Sequence, residues 1–155
     1  MMTKKKEMSE AQIQTLLEQY KIYVGTAEAV SHRRQVANSF FITLNATILT
    51  LLSFVHKQFE TGLVTLFIMS FIGIIVSLLW YRLICSYRDL NTAKFKVIHE
   101  LEQFFPAQPF DVEWVILRKQ KPKGEYLVFT TLERLIPLVF LVLHIAVVIV
   151  VGLRI

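Results

Sequence analysis

The sequence predicts an all-α membrane protein: a long helical hairpin that spans the membrane and extends into the cytoplasm, followed by a third, C-terminal transmembrane helix. Three observations predict it. The 155 residues are 54% apolar, and the mean hydropathy of +0.51 lies above the usual range of a soluble domain. The apolar residues gather in three blocks, Asn38–Val55, Gly62–Ile84 and Leu135–Leu153, each long enough to cross about 30 Å of hydrocarbon at about 1.5 Å per residue. Finally, fifteen of the seventeen lysines and arginines lie before the first block or between Arg82 and Arg134, leaving only Lys57 and Arg154 elsewhere. The positive-inside rule then puts the N-terminus and the 85–134 segment in the cytoplasm, and the 56–61 turn and the C-terminus outside.

Four segments follow from this: a cytoplasmic amphipathic helix (1–37), a transmembrane hairpin (38–84), a cytoplasmic helix with a basic loop (85–134) and a third transmembrane helix (135–155). Ser9 with Gln12 makes a capping-box start. Ile13, Leu16, Tyr20, Tyr23, Ala27 and Val30 follow at spacings of three and four, a coiled-coil-like seam. No proline interrupts the chain from there to Pro106, so each arm of the hairpin can run unbroken between water and membrane. On the returning arm Leu83, Tyr87, Leu90, Val97, Leu101 and Phe104 continue a seam in which Lys94 is the misfit. Trp80 and Tyr81 before Arg82 have the composition of an aromatic belt and cationic anchor at the inner interface. Pro106 and Pro109 stop the second helix, because proline lacks an amide donor and biases the preceding residue away from helix. Asp111–Leu117 reads as one or two amphipathic turns, packed on the bundle or on the membrane surface, and Arg118–Gly124 as a basic loop. Thr130 with Glu133 forms a second capping box ahead of the third span, where Pro137 is expected to loosen the early turns.

The polar residues inside the blocks are the candidate site. Asn38 and Asn45 lie seven apart on one face of the first span, and Ser31 and Arg34 continue that face. An amide in hydrocarbon seeks a partner, so the stripe reads first as a helix-packing device, with oligomer contact, pore lining or ligand binding beside it. Neighbouring copies of the same stripe are the expected partners. Thr43, Thr47 and Thr50 fall on the opposite face, with their hydroxyls expected to bond carbonyls of their own helix. In the second span Ser70, Gly73 and Ser77 place small residues on one side, the pattern that permits close helix approach. His144 is the ionisable residue well inside the third block; packing against a carbonyl or another subunit stands against proton handling or pore lining. Oligomer interface or pore lining is therefore assigned to Asn38, Asn45, Gly73, Ser77 and His144. Contact with anionic lipid is assigned to Lys119, Lys121 and Lys123 in the basic loop.

Other chemistries find little support. His99, Glu100 and Glu102 are not spaced as helix-borne metal ligands, and neither a phosphate-binding glycine loop nor a nucleophile elbow occurs. No cofactor and no catalytic residue is expected. The net charge of +5 reflects membrane topology rather than nucleic-acid binding. Cys85 cannot form an internal disulfide and reads as a small residue at the cytoplasmic end of the second span, ahead of lipidation or redox sensing. The first block lies too far into the chain for a secretory signal, so the mature protein is expected to begin near Met1.

Three stretches carry a resemblance: Arg33-Arg34-Gln35-Val36-Ala37-Asn38-Ser39-Phe40-Phe41, the run Tyr87 to Glu102 (YRDLNTAKFKVIHELE), and Thr131-Leu132-Glu133-Arg134. Together they resemble the RipA-like family of small bacterial octameric membrane proteins, from about Tyr20 to the third span. The resemblance implies a homo-oligomer, eight subunits by the family's name, in the bacterial cytoplasmic membrane; it supplies no reaction. The long helix, membrane hairpin and returning helix are also similar to the two-span membrane effectors of nucleotide-signalling defence systems, from which this chain departs by its third span. Three thin helices enclose little volume, so a pathway is expected between subunits, in a channel-like or pore-like assembly. The alternative is a non-conducting scaffold whose cytoplasmic helices bind a partner protein. The expected partners are the chain itself, membrane lipids and such a protein, with no nucleic acid.

Overall fold

The computed structural model of the chain describes residues 8–58, 62–119 and 129–153. They form four helices, α1 (Glu10–Gln58), α2 (Leu63–Glu102), α3 (Pro109–Lys119) and α4 (Phe129–Gly152), with no strand among the described residues. α1, α2 and α4 are long and apolar enough to cross a membrane, which is the fold class read from the sequence. At 49 and 40 residues, α1 and α2 are about twice the roughly 20 residues that a span needs.

Local chemistry accounts for most boundaries. The Ser9 amide donates to Gln12 Oε1 at 3.0 Å and the Gln12 amide to Ser9 Oγ at 3.4 Å, the reciprocal bonds of a capping box. α2 ends at Glu102, where the Phe104 and Phe105 amides fold back onto the Leu101 and Glu102 carbonyls ahead of Pro106. α3 opens on Pro109, whose fixed φ suits a first helical position where no amide donor is needed. Its 11 residues exceed the one or two turns expected over Asp111–Leu117. α4 begins at Phe129, so Thr130 falls inside its first turn and the second capping box is not the start of this helix. α4 continues through Pro137, which leaves the backbone carbonyl of Glu133 without its usual helical donor.

By their contacts the described residues separate into two units. One holds α1 as far as Ser31, α2 from Leu90, and α3. The other holds α1 from His32, α2 up to Asp89, and α4.

In the first unit the buried residues are Ala27 and Val30 of α1 with Ile98 and Glu102 of α2. Of the expected α1 seam Ala27 and Val30 are buried while Ile13 and Tyr23 are exposed, and α2 is turned by about one residue from its own expected seam. Leu90 and Phe104 are 46% and 50% exposed, while Phe95, Ile98 and Glu102 point inward. Two polar side chains find partners inside, Lys94 on the expected seam and Glu102 one residue off it. Lys94 Nζ donates to Thr26 Oγ1 at 2.9 Å and stands 5.6 Å from the centre of the Tyr23 ring. Glu102 is fully buried and accepts from the Tyr20 hydroxyl at 3.0 Å and from the Phe110 and Asp111 amides at 3.1 and 3.2 Å. The last two are unpaired donors of the α3 N-terminus, where a carboxylate is favoured by both the free amides and the helix dipole. The rings of Phe105 and Phe110 close around Tyr20 at 5.2 and 6.5 Å.

This arrangement makes two predictions. Glu102→Ala removes the acceptor of two α3 amides, a loss of about 1–3 kcal/mol. Amide exchange over Pro109–Lys119 should therefore quicken about tenfold or more while α4 is unaffected; unchanged exchange in α3 would show that the carboxylate does not hold it. Burial, then the bond to Glu102 and its charge, push the Tyr20 hydroxyl up from 10.0 to about 12. The neutral form is the one favoured on folding, so this contribution is complete below about pH 10 and is lost as pH rises through about 12. Tyr20→Phe should flatten the alkaline arm of the unfolding profile between those limits, and an unaltered arm would contradict the assignment.

Candidate functional site

The second unit packs α1, α2 and α4 around polar residues arranged in two layers, set by Asn45 and Asn38. Asn45 is fully buried. Its Nδ2 donates to the Phe41 carbonyl at 2.9 Å, so its Oδ1 faces the other helices. There Ser77 Oγ of α2 donates to it at 3.0 Å, and His144 Nε2 of α4 lies 3.3 Å away. An amide oxygen only accepts, so His144 carries its proton on Nε2, and both lone pairs of Oδ1 are used. His144 Nδ1 and the Ser70 hydroxyl are buried without a hydrogen-bond partner among the described residues. A Cβ built on Gly73 would fall onto the His144 imidazole. Glycine here is what lets α4 bring a ring against the backbone of α2.

The Asn38 layer is ionic. Trp80 Nε1 donates to Asn38 Oδ1 at 3.0 Å, and Asn38 Nδ2 donates to Glu133 Oε1 at 3.2 Å. The Arg34 guanidinium stands 3.4 Å from Glu133 Oε2, close enough for an ion pair but not aligned for a hydrogen bond. Both side chains are largely shielded, and a shielded carboxylate is held in place only by partners of this kind. The Trp80 ring stacks on Phe41 at 5.8 Å and 7° and leans on Phe140 at 6.0 Å. It is completely buried, an interior residue rather than the belt residue its position beside Arg82 suggests. Beyond the Asn45 layer the packing turns apolar, with Leu52, Leu66 and Val151 at its centre.

Asn45, Gly73, Ser77 and His144 thus meet within one chain, and Asn38 lies in the second layer with Trp80 and Glu133. The partners that the sequence reading sought on neighbouring copies are supplied by α2 and α4. Glu133 and Trp80, which that reading took for a helix cap and a belt, belong to the same network. Lys119 closes α3, while Lys121 and Lys123 lie outside the described residues. Among the described residues no group of three His, Cys, Asp or Glu could hold a metal ion.

Turned away from these layers, α1 exposes Gln35, Ser39, Thr43, Ala46, Thr50 and Ser53, spaced by three or four and all small or polar. The Thr43, Thr47, Thr50 and Ser53 hydroxyls donate to carbonyls of their own helix at 2.8–3.1 Å. The three threonine bonds are those expected from the sequence, and each hydroxyl oxygen keeps acceptor capacity toward the outside. Beside this stripe α1 also exposes Val36, Phe40, Ile42, Leu51 and Phe54, and α2 and α4 expose Val64, Phe67, Ile68, Phe71, Leu79, Val142 and Ile149.

These features define a multi-pass helical membrane protein whose spans are tied together by buried amides. Residues 17–153 match the sequence model of the Octameric membrane protein family (8xMP). The chain belongs to that family, as its resemblance to small octameric membrane proteins implies, and it is a homo-oligomer. No curated protein and no solved structure matches it.

The glycine contact is open to test. Gly73→Ala should destabilise the protein by about 1–3 kcal/mol through overpacking against the ring, read as a lower unfolding temperature in mild detergent. Once His144→Ala has vacated the space, Gly73→Ala should cost much less. Equal costs in the two backgrounds would mean that the ring does not set the approach of α4 to α2.

Proposed function

We propose that eight copies form a channel-like assembly in the cytoplasmic membrane, N-terminus inside, in which the hydroxyl face of α1 borders a water-filled path. The observation that carries this reading is the exposed run Gln35, Ser39, Thr43, Ala46, Thr50 and Ser53. Facing lipid, such a surface leaves its oxygens without donors; bordering water, each accepts a hydrogen bond. The large apolar side chains outside α2 and α4 suit lipid, as do Phe40, Ile42 and Leu51 on α1, so the hydroxyl stripe sets one side of α1 apart from the rest. The interior of the subunit is occupied by its own amide layers, which leaves the space between subunits for a path. From Ser39 to Ser53 this face carries no charge, so it selects weakly by sign and favours small hydrated solutes.

Planar-bilayer recording with substituted cysteines tests the reading. In a Cys85→Ser background, Thr43→Cys and Thr50→Cys should react with a charged, water-borne thiol reagent and alter the unitary current. Ile75→Cys, on the exposed apolar face of α2, should not. A bilayer that stays silent would favour the alternative, a non-conducting scaffold whose cytoplasmic helices bind a partner protein. Equal reactivity at all three positions would overturn the assignment of the lining.

A further inference from the structure

An octamer of copies inserted in the same sense has no two-fold axis in the membrane plane. A closed ring of this kind is made by a heterologous contact, one patch on each copy meeting a different patch on the next. The unit built from the start of α1, the end of α2 and α3 holds both halves of such a contact. On α3, Val112, Val115 and Ile116 are 54%, 39% and 46% exposed and stand at i, i+3 and i+4, a single apolar ridge. The opposite side of α3 is committed, since Phe110 packs on Tyr20 and Phe95 and its neighbouring amides are held by Glu102. Between α1 and α2 lies an open cavity of about 220 Å³ lined by Val24, Ala27, Phe95, Ile98 and Phe110. Because Phe110 forms part of its wall, the ridge on the far side of α3 cannot enter its own groove. α3 is not one of the helices able to span a membrane, so its apolar ridge is not explained by a place among the spans.

We infer that the α3 ridge of one copy fills the α1–α2 groove of the next, and that this contact closes the ring. The inference rests on the octamer and not on conduction, so it can fail while the channel reading stands, and the reverse.

Cross-linking in lipid nanodiscs tests it. In a Cys85→Ser background, Ser31→Cys at the groove is combined with Val115→Cys on the ridge, and a short bis-maleimide is added to assembled octamers. The expected result is a ladder of covalent multimers reaching eight copies, with neither single-cysteine variant giving one. Dimers from Val115→Cys alone would mean that ridge meets ridge, and would overturn the inference. So would the absence of any ladder when a monofunctional maleimide labels both thiols. As an independent readout, Val115→Asp with Ile116→Asp should lose the octamer in native mass spectrometry while keeping its helical circular dichroism; an intact octamer overturns the inference too.

Discussion

A side-chain amide in hydrocarbon has no water to bond and must be satisfied by protein. Asn45 meets that requirement on all three helices at once, through the Phe41 carbonyl, the Ser77 hydroxyl and the His144 ring. Bonds of this kind contribute about 0.6–2 kcal/mol each across membrane helices. Their direction matters more than their sum. They fix the rotation of α1 about its axis, the depth of α4 against α2, and the need for glycine at position 73, over which the imidazole lies. Two turns away Asn38 repeats the arrangement with Trp80 and Glu133, so any slip of one helix breaks both layers together.

With the amides held inside, the surface that α1 leaves outward is decided, and it includes a stripe of small and hydroxyl residues. A membrane helix surrounded by lipid gains from bulky apolar side chains on its outer surface, as α2 and α4 carry. On α1 the exposed bulky side chains, Phe40, Ile42 and Leu51 among them, lie beside the hydroxyl stripe rather than on it. In a family named for its octamers, this stripe of α1 is the feature of the described spans that carries the channel-like proposal. Outside the spans the same logic of unpaired groups appears at Glu102, where one carboxylate fastens α3 by its first amides.

Much of this was legible in the sequence where the signal is local. The three spans, the Ser9–Gln12 cap, the end of α2 before its prolines and the shared face of Asn38 and Asn45 all follow from spacing and composition. What was misread is non-local. Apolar spacing sets the seam of α2 along Leu90, Val97 and Phe104, whereas Leu90 and Phe104 are exposed and Glu102, one residue off that seam, turns inward toward Tyr20, while Lys94 on the seam meets Thr26. Trp80 beside Arg82 has the composition of an interfacial belt, yet an acceptor on α1 draws its indole inside. Thr130 and Glu133 have the spacing of a cap, yet Glu133 serves Asn38 and Arg34. In each case one polar side chain had a partner dozens of residues away, which periodicity cannot reveal.

The central claim is that the buried amides of α1 belong to the subunit while its hydroxyl face belongs to the ring. An image of the octamer in lipid nanodiscs, at a resolution that separates helices, tests this most directly. The account predicts eight α1 helices around a central opening, with α2 and α4 on the lipid side. A ring with α1 on the lipid side, or with no opening between copies, would contradict it.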